Sequence, residues 1–192
     1  MSGGDSPGPA YELAAGLETD WSTATLWWGD ERCVPPEDER SNYLLVKKTL
    51  LERIDRQPNA HRVKGELGGA AAAAEYDAKL EGVHLGLALQ GIGPDGHTAS
   101  LFPNAPALEE RERRAVAAPH EDVERVTMTL PILSAANKVV YLVLGESKAE
   151  AARNAFAEEP SPETPASLLR SKDGETIVLL DRAAAAELDN SG

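Results

Sequence analysis

The sequence predicts an α/β fold: a Rossmann-like, mostly parallel sheet with helices on both faces, in one domain spanning residues 1–192. Three observations carry this reading. Short, near-continuously apolar runs alternate with segments of good helix formers, the pattern of doubly buried strands joined by crossover helices. Those runs end in turns rich in Gly, Asp and Ser, where ligands bind in open α/β sheets. A chain of 192 residues suffices for one real core, and no linker long enough to separate two domains is visible.

In chain order, residues 24–28 (ATLWW) read as the first strand. Residues 41–54 (SNYLLVKKTLLERI) show apolar spacings of three and four, a helix with Ser41 as its N-cap. Residues 68–82 (GGAAAAAEYDAKLEG) form a second helix that stops at Gly82. The run 83–90 (VHLGLALQ) is the next strand. The cluster RERR at 111–114 sits among acidic neighbours and reads as the solvated face of a helix. Residues 138–145 (KVVYLVLG) are a strand, 147–159 (SKAEAARNAFAEE) a helix capped by Ser147, and 176–181 (TIVLLD) the last strand. PSPETP at 160–165 is loop, since Pro bars both helix and central strand. No internal repeat is present.

Composition excludes several classes of function. Hydrophobic residues make up 42% and charged residues 27%, a globular balance. The net charge of -13 argues against nucleic acid, because a binder of that polyanion needs a basic face. An acidic chain can still take an anionic small molecule, using locally placed cations and backbone N–H groups. No apolar run approaches the roughly 18 residues that span a bilayer. The first residues lack the basic and apolar regions of a secretory signal. Cys33 is the only cysteine, so no intramolecular disulfide forms, and a reducing, cytoplasmic setting is expected. Metal is not expected. His61, His84, His97 and His120 are scattered and Cys33 has no partner at ligand spacing; the first two and His120 read as surface or strand-end residues.

Four loops fall at predicted ligand-binding positions: SGGDSP, GDERCVPP, GIGPDGHTAS and GESK. In the third, Gly91, Gly93 and Gly96 have the G-x-G-x-x-G spacing of a dinucleotide loop. Asp95, however, puts a carboxylate among the N–H groups that would receive a pyrophosphate. The acid expected about 20 residues on is also missing: Glu109, Glu110 and Glu112 lie in a charged stretch instead. No nucleotide cofactor is therefore expected. The same turn can present an acid and a base. His97 offers an imidazole able to take a proton near neutral pH, with Asp95 to orient it. From these two residues alone, a cap on TASLF and an Asx-turn are the favoured explanation.

The company of this loop decides the matter. GIGPDGHTASLFP together with WWGDERCVPPEDERSNY resembles the 6-phosphogluconolactonase family, and further matches run nearly the full chain: SGG at 2–4, RVTMTLPIL at 125–133, VVYLVLGESKAEA at 139–151, PASLL at 165–169 and LLDRAAA at 179–185. The resemblance implies the Rossmann-like sheet shared with sugar-phosphate isomerases and deaminases. It implies hydrolysis of the δ-lactone of 6-phosphogluconate, in the oxidative pentose phosphate pathway, without a catalytic cofactor. His97 matches the family's base, with Asp95 its neighbour. Arg32 matches the D-E-R arginine, aimed at phosphate or at the developing oxyanion. Asp30 and Glu31 accept sugar hydroxyls or simply fix Arg32, and Asn42 supports this loop or caps a helix. Lys148 matches a lysine near the substrate. Ser2, Gly3 and Gly4 match a turn that helps hold the sugar phosphate, and Gly93 lines the loop. The expected partner is a small sugar-phosphate lactone, with no nucleic acid and no membrane, and the chain is expected to be a monomer or weak homodimer.

The sequence also departs from that pattern. SGG stands first in the chain, where the family has a preceding strand and helix, so an N-terminally shortened fold is expected. Gln90 replaces an apolar residue, and Ile177–Val178 stand where an aromatic is often seen. Two rival functions follow: a catalytically impaired sugar-phosphate-binding protein, and a glucosamine-6-phosphate deaminase. The deaminase loop carries a carboxylate five residues beyond its His, a position held here by Phe102.

Overall fold

The computed structural model describes residues 1–4 and 6–188. In chain order these form α1 (Pro7–Leu17), β1 (Thr25–Trp27), β2 (Asp30–Arg32), α2 (Asn42–Thr49), β3 (Asn59–His61), α3 (Gly69–Lys79), β4 (Leu87–Gln90), β5 (Ala115–Ala118), β6 (Arg125–Met128), α4 (Leu130–Ser134), β7 (Lys138–Val143), α5 (Ala149–Phe156), α6 (Pro165–Leu168) and β8 (Glu175–Leu180). Three of the five strand pairings are parallel: β1 with β3, β4 with β7, and β7 with β8. The other two build a small antiparallel sheet in the order β2-β6-β5. The α/β class holds, with this antiparallel unit as an addition that periodicity did not reveal.

Several boundaries move for identifiable reasons. The run 83–90 is extended strand only over Leu87–Gln90. Ahead of it the His84 side chain is turned to Asn137, although Leu85 and Gly86 still accept backbone bonds from Asn137 and Lys138. Ser41 caps α2 as expected, its hydroxyl accepting from Leu44 N–H at 3.2 Å. Ser147 caps nothing; it lies inside a 3₁₀ turn over Glu146–Lys148, and α5 begins at Ala149. The RERR cluster is loop rather than helix. The Glu110 carboxylate gathers the N–H groups of Arg111, Glu112 and Arg113 into a turn, and β5 starts at Ala115, leaving no length for a helix. GDERCVPP is likewise not all loop, because Asp30–Arg32 is a strand.

Two tyrosines fasten the segments that reach the site. The buried Tyr76 hydroxyl of α3 accepts from Trp28 N–H at 2.8 Å and donates to Trp28 C=O at 3.0 Å. It thereby satisfies both backbone polar groups of a residue that is itself fully buried. This fixes the chain between β1 and Asp30. The Tyr11 hydroxyl of α1 does the same for Ser2, accepting from its N–H and donating to its C=O, both at 2.8 Å. Met1 lies alongside the end of β1: its amine donates to Trp27 C=O, and its carbonyl accepts from Gly29 N–H at 2.9 Å. No helix among the described residues is long and apolar enough to cross a membrane.

Candidate active site

A cavity of about 260 Å³ opens where β1, β4 and β7 end. It gathers Ser2, Gly3, Gly4, Asp30, Arg32, Asn42, Gly93, His97 and Lys148, which lie up to 146 residues apart in sequence. Of the site residues anticipated from sequence, Asp95 and Glu31 alone lie outside its lining.

The loop after β4 positions His97. Gly93 N–H donates to His97 C=O at 2.8 Å, and Gly96 N–H donates to Gly93 C=O at 3.0 Å, closing a tight turn. Only glycine fits at 93: an added Cβ would lie 2.1 Å from the His97 ring. With its N–H spent inside the turn, Gly93 contributes close approach rather than a donor. Behind the ring, Asp95 Oδ1 sits 2.5 Å from His97 Nδ1 and also accepts from His97 N–H at 3.2 Å. A carboxylate only accepts, so Nδ1 carries a proton, and in the neutral ring Nε2 is then the nitrogen with the lone pair. Burial works against the charge on Asp95, but the His97 ring and the hydrogen bonds to His97 outweigh it and hold this carboxyl below the usual range. Phe102 packs against the same ring, with centroids 5.1 Å apart.

Strand alternation explains the fate of the D-E-R residues. Asp30 and Arg32 share one face of β2 and line the cavity, while Glu31 points to the other. There Glu31 receives the N–H groups of Arg32, Asn42 and Tyr43 and the Ser41 hydroxyl, at 2.7–3.0 Å. Burial pushes its carboxyl up, against these bonds. Glu31 is therefore a cap for α2 and not an acceptor for sugar hydroxyls, and the expectation is corrected to that extent. Asp30 is also buried, its two oxygens held by Ser100 Oγ at 2.7 Å and Asn42 Nδ2 at 3.2 Å. Each oxygen keeps a lone pair for a ligand hydroxyl. Asn42 lines the cavity and its amide ties Asp30 to the start of α2, while the helix cap is supplied by Ser41 and not by Asn42.

The opposite wall is the turn before α1. Gly3 and Gly4 have N–H groups with no acceptor among the described residues, and Ser6 and Pro7 at the start of α1 line the same cavity. A turn of free N–H groups at a helix N-terminus favours an anion. Gly3 is needed for contact, since a Cβ there would stand 1.9 Å from Asn42 Oδ1. Lys148 joins this wall from the turn before α5. Among the lining residues that were not anticipated, Arg125, the first residue of β6, is the one that carries a charge. RVTM gives no periodic signal in four residues, so only the strand pairing exposes it.

Comparison with known proteins agrees with this geometry. The sequence profile of the glucosamine-6-phosphate isomerases/6-phosphogluconolactonase family matches residues 1–178. A 6-phosphogluconolactonase of Nostoc sp. is 35% identical over 98% of this chain and 83% of its own length. A solved structure of a devB protein is 33% identical, with a TM-score of 0.87 over 98% of this chain and 85% of its own. A monomeric glucosamine-6-phosphate deaminase reaches a TM-score of 0.86 at 21% identity, over 97% and 86% of the two chains, a likeness of fold alone. The chain belongs to the glucosamine-6-phosphate isomerase/6-phosphogluconolactonase family.

Proposed function

We propose that the chain hydrolyses 6-phospho-D-glucono-1,5-lactone to 6-phosphogluconate, with water activated by His97. The observation that carries the mechanism is the Asp95–His97 pair, which leaves Nε2 basic at the wall of a cavity lined by cationic side chains. Nε2 takes a proton from water as its oxygen adds to the lactone carbonyl. The negative charge then developing on the carbonyl oxygen is stabilised by donors aimed into the cavity. Collapse breaks the bond from the carbonyl carbon to the ring oxygen, and the imidazolium returns its proton to that oxygen. The acid product loses a proton to solvent.

Ser2, Gly3, Gly4 and Lys148 anchor the phosphate on this reading, and Asp30 orients a sugar hydroxyl. Arg32 serves either the phosphate or the carbonyl oxygen. Ring-opening deamination is disfavoured because Phe102, packed on His97, stands where that chemistry uses a carboxylate. The reaction belongs to the oxidative pentose phosphate pathway and needs no cofactor. The chain acts as one domain in the cytoplasm, as a monomer or weak homodimer.

The test is acid release from the phospho-lactone above its spontaneous rate. His97→Ala should lower kcat by about 10²- to 10⁴-fold, the usual contribution of a positioned base. Retention of the full rate by that variant would refute the assignment.

A further inference from the structure

Arg32 and Arg125 are direct partners across the antiparallel β2–β6 ladder, and both line the cavity. Like charges directly opposite on paired strands destabilise a sheet. This pair also carries a second cost, because Nε of each guanidinium is buried without a hydrogen-bond partner among the described residues. Arg125 is 8% exposed. Buried, unsatisfied donors are uncommon in folded proteins and call for a cause.

The groups around the pair do not supply one. Asp122 takes Nη2 of Arg125, at 3.1 Å, but not Nε, and is itself shared with His120. Arg32 Nη1 donates to Arg40 C=O. Phe102 lies beneath Arg125, 5.4 Å from its carbon Cζ, and its ring also contacts His97. Arg125 is thus one aromatic ring away from the proposed base.

We propose that Arg125 is a substrate-binding residue, forming with Arg32 a two-guanidinium seat for one anionic oxygen group of the substrate. The inference rests on the lactonase reading of the cavity. The group seated is either the phosphate or the oxygens at C1, which are an oxyanion during reaction and a carboxylate in the product. Planar forks on neighbouring strands suit either one, and an anion between them offsets the repulsion.

The experiment measures binding to the intact chain by calorimetry, with 6-phosphogluconate, glucose 6-phosphate and gluconate as probes. Arg125→Gln should weaken 6-phosphogluconate binding by about 10- to 100-fold, the range for a charge-assisted contact. Asp122→Asn, which removes the ion pair but keeps the guanidinium, should stay within about 3-fold of the parent. A loss shared with glucose 6-phosphate assigns the seat to phosphate; a loss shared with gluconate assigns it to the C1 oxygens. Parent-like binding by Arg125→Gln, or equal losses in the two variants, would overturn the proposal. Should the Gln variant not fold, Arg125→Lys is read in its place, where a loss of about 5-fold or more supports the seat and parent-like affinity overturns it. Binding does not depend on turnover. A chain that binds through Arg125 yet opens no lactone refutes the function and keeps the seat; the reverse result refutes the seat alone.

Discussion

Asp95→Asn separates two roles that the carboxylate plays at His97. Asp95 Oδ1 touches both the ring Nδ1, at 2.5 Å, and the backbone N–H of His97, at 3.2 Å. An Asn at 95 keeps a carbonyl oxygen for that position, and the backbone N–H steers it there. The ring tautomer therefore survives, and what is lost is the charge facing the imidazolium formed in the transition state. A charge-assisted hydrogen bond is worth about 1.5–3 kcal/mol. The Asp95 side chain is 50% exposed and that of His97 27%, so solvent screening favours the low end. About 1.5 kcal/mol corresponds to roughly a 10-fold loss of kcat, far from the ~10⁴-fold cost of the same change in a buried catalytic triad. Steady-state kinetics across pH 5–8 is the assay. Asp95 is held below the usual carboxylate range and stays ionised throughout that window, so it causes no acid limb there. A loss above about 10³-fold would refute this account of the dyad.

Two further substitutions test the walls of the cavity. Glu31→Gln leaves one oxygen and turns an amide donor toward donors that the carboxylate now satisfies. It should cost about 1–3 kcal/mol, or roughly 2–12 °C in Tm for a chain of this size, with KM little changed in thermal and kinetic assays; a large KM effect at parent Tm would restore Glu31 as a ligand. Gly3→Ala places Cβ 1.9 Å from Asn42 Oδ1, and Asn42 is held by Asp30. Overpacking of this kind costs about 1–3 kcal/mol, and Asn42→Ala in the same chain should return part of that stability in a denaturant titration, a non-additivity expected of touching residues.

The parts of the site legible in sequence were those written in consecutive residues. GIGPDGH places a turn, an orienting carboxylate and an imidazole within seven positions, and its geometry follows from local bonds. Ser41 announces its helix because capping is local too. The parts that were not legible depend on strand pairing. Whether Glu31 faces ligand or helix is decided by the pleat of a three-residue strand, too short to show a period. Arg125 becomes a lining residue only because β6 pairs with β2 in one register; a slip of one residue would turn it to the other face. Ser147 shows the limit of capping signals, since its turn tightens to 3₁₀ before the helix begins.

The charge distribution bears on turnover as well as on binding. The chain carries a net charge of -13, yet Arg32, Arg125 and Lys148 converge on a cavity in which Asp30 is the lining carboxylate among the described residues. Near the cavity wall the local cations dominate, because beyond a screening length of about 8 Å the distant acidic surface is largely hidden by salt. The balance shifts when the ring opens. Hydrolysis converts a neutral lactone carbonyl into a carboxylate, so the product carries one negative charge more than the substrate. An acidic surface repels the product more than the substrate, in proportion to that extra charge. If these cations hold the substrate as proposed, they would otherwise hold the product more tightly, and the surrounding negative field opposes this. Raising ionic strength weakens both effects, but it weakens the longer-range repulsion first. Product inhibition by 6-phosphogluconate should therefore decline less steeply with salt than a count of cavity cations alone predicts.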